Sequence, residues 1–305
     1  MEAPQLRPLG VGDIVDRVFN LYRQRPGPLL VLSTVPYLAF VLGLGILVLS
    51  FGGALGGLAP FIDFVNRNPR GAPLPPSLLT GLADAAAAFT GFLLLAILVA
   101  IVLFSAQTAA VIKAMVAQYL GKPMTVGAAF AAGLRASPRI ILAGLLVFLA
   151  FIGLWLALVA AFVWSNNGIV VGLGIIGGLV ATVFIFVSWV VVPCVVTVEG
   201  TGPVHALRRS WALSHGNRWR ILGLQVLLLI LQFVLSALLT ALSVAAFAFT
   251  DQVVRFVIQQ LANFAAQIIW VPIQWGATAI LYLDLRVRHE GYDLQLAAEA
   301  LPREG

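Results

Sequence analysis

Few residues of this chain have the type and spacing for covalent or metal chemistry. The 305 residues include three histidines (His205, His215 and His289), one cysteine (Cys194) and 12 carboxylates. A zinc site needs three or four His, Cys or acidic ligands held close together. His205 and His215 stand ten positions apart, with neither a cysteine nor clustered acids beside them. They read as surface charge near lipid headgroups. A nucleophile needs a base within reach, and Cys194, beside Pro193, reads instead as a small buried hydrophobe. No Gly-rich phosphate loop is present. The expectation is no catalytic residue, no metal and no cofactor, hence no enzyme.

Two other sets of polar groups remain, guanidinium groups and amides. The stretch ALRRSWALSHGNRWRILG, residues 206–223, holds Arg208, Arg209, Arg218 and Arg220 together with Trp211 and Trp219. On a wheel of about 100° per residue, His205, Arg208 and Arg209 share one arc, while Val204, Leu207, Trp211 and Leu213 fall opposite. A basic amphipathic helix with a Trp on its apolar face suits the membrane–water interface. These four arginines and two tryptophans are the candidates for holding an anionic lipid headgroup, at roughly 1 kcal/mol per basic residue near the surface.

The amides form a polar seam in two apolar runs. Gln225, Gln232 and Ser236 lie in one run, and Asn263, Gln267 and Gln274 in the next. Spacings of four and seven make each set one helical stripe. A hairpin turning between 249 and 250 pairs 225 with 274, 232 with 267 and 236 with 263. An unpaired amide in hydrocarbon costs several kcal/mol, so the seam is expected to face protein. Either the amides bond across the hairpin, or they line a wet groove for a lipid headgroup or another polar solute. Lys113 and Asp284 lie at span ends and are expected to snorkel to the interface. Asp284 with Arg288, and Arg286 with Glu290, read as i,i+4 surface pairs. Asp84 reads as a solvated acid outside the bilayer.

The elements that must carry these groups follow from composition. The chain is 61% hydrophobic and 10% charged, with a mean hydropathy of +1.03. A soluble domain is nearer 25% charged, so the bilayer must be the solvent. A pI near 10.1 suggests nucleic acid in a soluble protein, but these cations sit between spans and orient the chain, so no nucleic-acid partner is expected. No cleavable leader is expected, because the first apolar run is long enough to span. Spans are expected at 29–51, 78–120, 140–164, 169–198, 221–249 and 253–283, an all-α integral membrane bundle of six transmembrane helices. Pro193 and Pro272 are expected to kink their helices. Gly52, Gly53, Gly56 and Gly57, and the glycines at 168–178, read as close helix packing. An outer loop is expected over 59–77, and turns at 165–168 and 250–251.

Three units emerge, 9–120, 123–198 and 202–283, followed by a tail over 284–305. Each unit is a short interfacial helix and two spans. In the first, Asp13 is placed as the helix cap, with Ile14, Val15, Val18, Phe19, Leu21 and Tyr22 on one face. In the second, the interfacial segment is 123–137. Fifteen of the 18 Lys and Arg fall on one side of the spans; Arg67, Arg70 and Arg255 fall on the other. The positive-inside rule then puts both termini and the basic helices in the cytoplasm, in a plasma (inner) membrane.

The stretches RPLGVGDIVDRVFNLYRQRPG, ALRRSWALSHGNRWRILG and ILYLDLRVRHEGYDL resemble a bacterial family of polytopic membrane proteins related to the membrane domain of glycerophosphoryl diester phosphodiesterase. The resemblance implies this fold and a link to lipids. It does not imply hydrolysis, since no soluble segment is long enough for the catalytic domain. The functional expectation is a non-enzymatic membrane-organising protein that binds lipid or a partner through its basic helices. The alternative is a transporter or permease-like subunit moving a lipid or apolar solute. The expected partners are the bilayer and anionic lipid, with protein partners and homo-oligomer left open.

Overall fold

The structure, a computed structural model, describes residues 8–55, 59–68, 73–165, 167–245, 251–292 and 295. Among these residues there are ten helices and no strand. They are α1 (Val11–Gln24), α2 (Pro26–Leu55), α3 (Ala59–Arg67), α4 (Pro76–Tyr119), α5 (Val126–Ser165), α6 (Gly168–Trp189), α7 (Val192–Glu199), α8 (Pro203–Ser214), α9 (Arg218–Ala245) and α10 (Gln252–Glu290). Six stretches are long and apolar enough to cross a membrane: Pro26–Ile46, Pro76–Tyr119, Val126–Ser165, Gly168–Glu199, Arg218–Val244 and Val254–Glu290. The fold is therefore all-α, built on six long apolar helices as the hydropathy pattern requires.

The chain divides into two compact units, Met1–Thr34 with Ser105–Gly305, and Val35–Phe104. The second is held by apolar contact. Tyr37 and Phe40 lie 4.9 and 5.5 Å from Phe104, ring centre to ring centre. Its α3 replaces part of the expected outer loop. Pro60 suits a helix start, Arg67 pairs with Asp63 one turn earlier at 2.8 Å, and the Asn68 amide donates to Phe64 O at 2.9 Å.

The first unit holds the core. In α1 Ile14, Val18 and Leu21 are buried against α9 and α10. The helix starts before Asp13: Gly10 is the cap residue, and Asp13 reaches back to accept from Gly10 N at 2.8 Å. Asp13 thus serves the third helical position rather than the cap. The 123–137 segment is not separate from the third span, because α5 runs unbroken through Pro138. Neighbouring helices let a span tolerate proline. At Pro193 the opposite happens. Helix α6 stops at Trp189 and α7 restarts at Val192 with Pro193 in its first turn, so the fourth span is interrupted where the proline is expected to disturb it. Pro272 lies inside the continuous α10.

Glycines at helix crossings do the expected work in places. A Cβ on Gly133 would strike Ala106 O, one on Gly174 would meet Phe162, and one on Gly178 would meet Leu158, whereas Gly168 and Gly172 face open space. Of the turns, Asn167 caps α6 by accepting from Ile169 N at 2.9 Å, and Asp251 caps α10 by accepting from Gln252 N at 2.6 Å. Asn166 and Thr250 lie outside the described residues, as do Gly56, Gly57, Arg70 and most of the 284–305 tail.

Candidate functional site

At the basic end of the first unit, Asp284 departs from expectation. It is 3% exposed and does not snorkel, because α10 continues to Glu290 and buries it. Its carboxylate accepts from Leu9 N at 2.7 Å, from Arg220 Nη1 at 2.5 Å and from Arg288 Nε at 3.0 Å. Arg220 Nη2 and Arg288 Nη2 also donate to Leu9 O. A buried charge needs such a complete set of partners. Arg288 and Asp284 are thus part of a buried network rather than a surface pair. A second network runs beside it. Arg209 bridges Glu199, at 3.2 Å, and Glu290, and Tyr282 OH donates to Glu199 at 2.8 Å. Burial pulls the Arg209 guanidinium down, but Glu199 and Glu290 together hold its pKa above the ordinary arginine value. Arg286 donates to Glu290 at 3.0 Å and stacks on the Tyr292 ring at 3.9 Å. Lys113 Nζ donates inward to Thr197 O at 3.2 Å instead of reaching away.

Of the apolar arc of α8 only Leu213 is fully buried in protein, and the inward face is otherwise made of small residues. Ala206, Ser210, Leu213 and Ser214 are buried, whereas Val204 and Trp211 are exposed. The reason lies in the break after α6. The end of α6 leaves carbonyls without helical donors, and Ser210 Oγ and Ser214 Oγ donate to Ser188 O at 2.8 and 3.2 Å. Small hydroxyl residues must therefore face inward. Trp211 packs its ring edge against Phe184 at 5.5 Å.

The four candidate arginines thus have different surroundings. Arg209 and Arg220 are ion-paired. Arg218 donates from Nε to Ser188 Oγ at 3.1 Å and lies over the Phe184 and Trp211 rings at 4.2 and 4.9 Å. No carboxylate pairs with it among the described residues. Arg208 is exposed, again with no ion-pair partner among them, and Trp219 is 86% exposed.

The seam is brought together at its inner end. Gln274 Nε2 donates to Gln225 Oε1 at 3.3 Å, the pair that the hairpin register requires. Gln225 is 9% exposed, yet its own Nε2 has no partner; such a buried orphan costs about 1–3 kcal/mol. Gln225 and Gln274 stand between two cavities. One, of about 290 Å³, is bounded by residues including Ile140, Trp189 and Pro193. The other, of about 540 Å³, is a groove between α6, α9 and α10 that Gln232 and Gln267 also line. Neither of these deeper amides has a hydrogen-bond partner among the described residues.

Further out, the register fails. Asn263 is exposed and pairs within its own helix, accepting from Gln259 at 3.3 Å and donating to Gln260 at 3.4 Å. Ser236 is half-buried, and the contact across the hairpin there is made by Ser243 Oγ and Gln259 Oε1 at 3.1 Å. The pair of Gln225 and Gln274 thus meets, and the pair of Ser236 and Asn263 does not.

The residues that sequence reasoning passed over are Glu199, Tyr282, Ser188, Ser210 and Ser214. Serines four apart on a basic helix were a readable sign of a small inward face. Glu199 and Tyr282 carried no sign, since their partners lie far along the chain. Among the described residues no three of His, Cys, Asp and Glu gather as metal ligands.

Six long apolar helices with a charged, hydrogen-bonded end define a multi-pass membrane protein. Residues 25–285 match the family described as a domain of unknown function, DUF7847, and the chain belongs to that family. No curated protein and no solved structure matches it.

Proposed function

We propose that this is a non-enzymatic protein of the plasma membrane, both termini cytoplasmic, that organises the inner leaflet by holding anionic lipid at its basic end. One observation carries the reading. Arg23, Arg25, Lys122, Arg135 and Arg208 are exposed in the first unit, and none has an ion-pair partner among the described residues. Exposed Trp219 adds an interfacial anchor. The lipid surface is thus left to these residues rather than to Arg209 and Arg220. The resemblance of the three stretches to a family related to the phosphodiesterase membrane domain implies the same link. The test replaces the five exposed cations by Gln and compares phosphatidylglycerol with phosphatidylcholine retained by the purified protein. A preference for the anionic lipid that drops at least about tenfold supports the reading, each cation near the surface contributing about 1 kcal/mol; an unchanged preference overturns it. The glutamine-lined groove favours a second reading, a transporter or permease-like subunit moving a lipid or apolar solute, for which vesicle flux is the assay.

A further inference from the structure

We infer that the groove between α6, α9 and α10 seats one phospholipid, its phosphate at Arg218 and its acyl ester carbonyls at Gln225 and Gln274. This deepens the lipid-binding reading and rests on it, but uses different residues.

The stripe on α9 sets the geometry. Arg218, Leu222, Gln225, Leu229 and Gln232 follow one another at spacings of four and three, which keeps them on one helix face. The last four line the groove, and Arg218 heads the same stripe. At 1.5 Å per residue Gln225 lies about 10 Å below Arg218 and Gln232 about 21 Å below. Each interfacial layer of a bilayer is roughly 5–8 Å thick. With Arg218 at the headgroup edge, the Gln225 backbone therefore falls just beneath that layer, and its side chain, tilted toward the helix N-terminus, reaches back to the inner edge of the layer, where the ester carbonyls lie.

The unmet groups set the chemistry. Gln225 Nε2 is buried and has no acceptor, and Arg218 has no carboxylate among the described residues while Ser188 occupies only its Nε. Both are donors. The ligand must be anionic at the outer end, rich in acceptors without needing donors further in, and otherwise apolar, because Val183, Phe186, Val226 and Val271 complete the wall. Phosphate oxygens and ester carbonyls accept and do not donate. A diacyl phospholipid supplies both in that order.

The test offers the purified full chain equal amounts of diester phosphatidylglycerol and its diether analogue of matched chain length, which lacks the carbonyls, and counts bound lipid by native mass spectrometry. The diester form should be retained about threefold to tenfold over the diether, the worth of one hydrogen bond. Gln225→Met, close in shape, should abolish that preference, and Arg218→Gln should lower retention of both lipids. Equal retention of the two by the unaltered protein overturns the inference without any variant, as does a preference that survives Gln225→Met. Loss of the ester preference leaves the basic-end reading standing, because that reading predicts the anionic preference measured with the five exposed cations.

Discussion

Three charged side chains converge on the backbone of Leu9, a residue with no polar side-chain atom. Asp284 takes its N–H, and Arg220 and Arg288 take its carbonyl. Removing the carboxylate leaves two arginines and a backbone donor inside protein with nothing to neutralise them. Asp284→Ala should therefore cost about 3–5 kcal/mol, read as a lowered unfolding temperature in detergent. Adding Arg220→Gln should cost less than the two singles summed, since one network is lost only once. None of this was legible in sequence. The pair of Asp284 and Arg288 at i,i+4 could be seen, but a local pair gives no sign of burial when its third partner is a backbone group 275 residues away. The bond between Gln225 and Gln274 was legible, because both are amides in apolar runs of one hairpin and an amide in hydrocarbon must find a partner.

At the scale of elements, legibility follows the range of the forces. The six apolar runs could be read directly, because hydropathy is local and the bilayer fixes their length. The inward face of α1 at Ile14, Val18 and Leu21 could be read for the same reason. Prolines act differently in different spans. Pro138 sits within an unbroken α5, whereas the span holding Pro193 separates into two helices, and the difference depends on donors from other helices such as Ser210 and Ser214. Crossing glycines behave similarly. Gly133 and Gly153 lie on one helix and look alike in sequence, but only Gly133 has Ala106 O and, at 3.1 Å, Ala110 against its missing Cβ. Gly133→Ala should cost about 1–3 kcal/mol by overpacking, more than the roughly 1 kcal/mol gained in helix propensity. Gly153→Ala, with nothing within 4 Å, should be neutral or stabilising in the same thermal melt.

For the whole molecule, the charge asymmetry makes a claim about direction. With Cys194 replaced by Ser, single cysteines in place of Lys122, Arg208 and Asp251 report the side on which each lies. An impermeant thiol reagent on intact cells should label position 251 and leave 122 and 208 unlabelled until the membrane is opened; the reverse pattern inverts the orientation. The attachment of Leu9 to α10 has a further consequence, for the order of events during synthesis. The first helix emerges early, but the acid that holds it is made 275 residues later. At roughly 5–20 residues per second, α1 waits on the order of 15–55 s without its partners. Through that interval the growing chain depends on lipid or on the insertion machinery to shelter Ile14, Val18 and Leu21, and the arrival of Asp284 marks the moment when α1 can close onto α10.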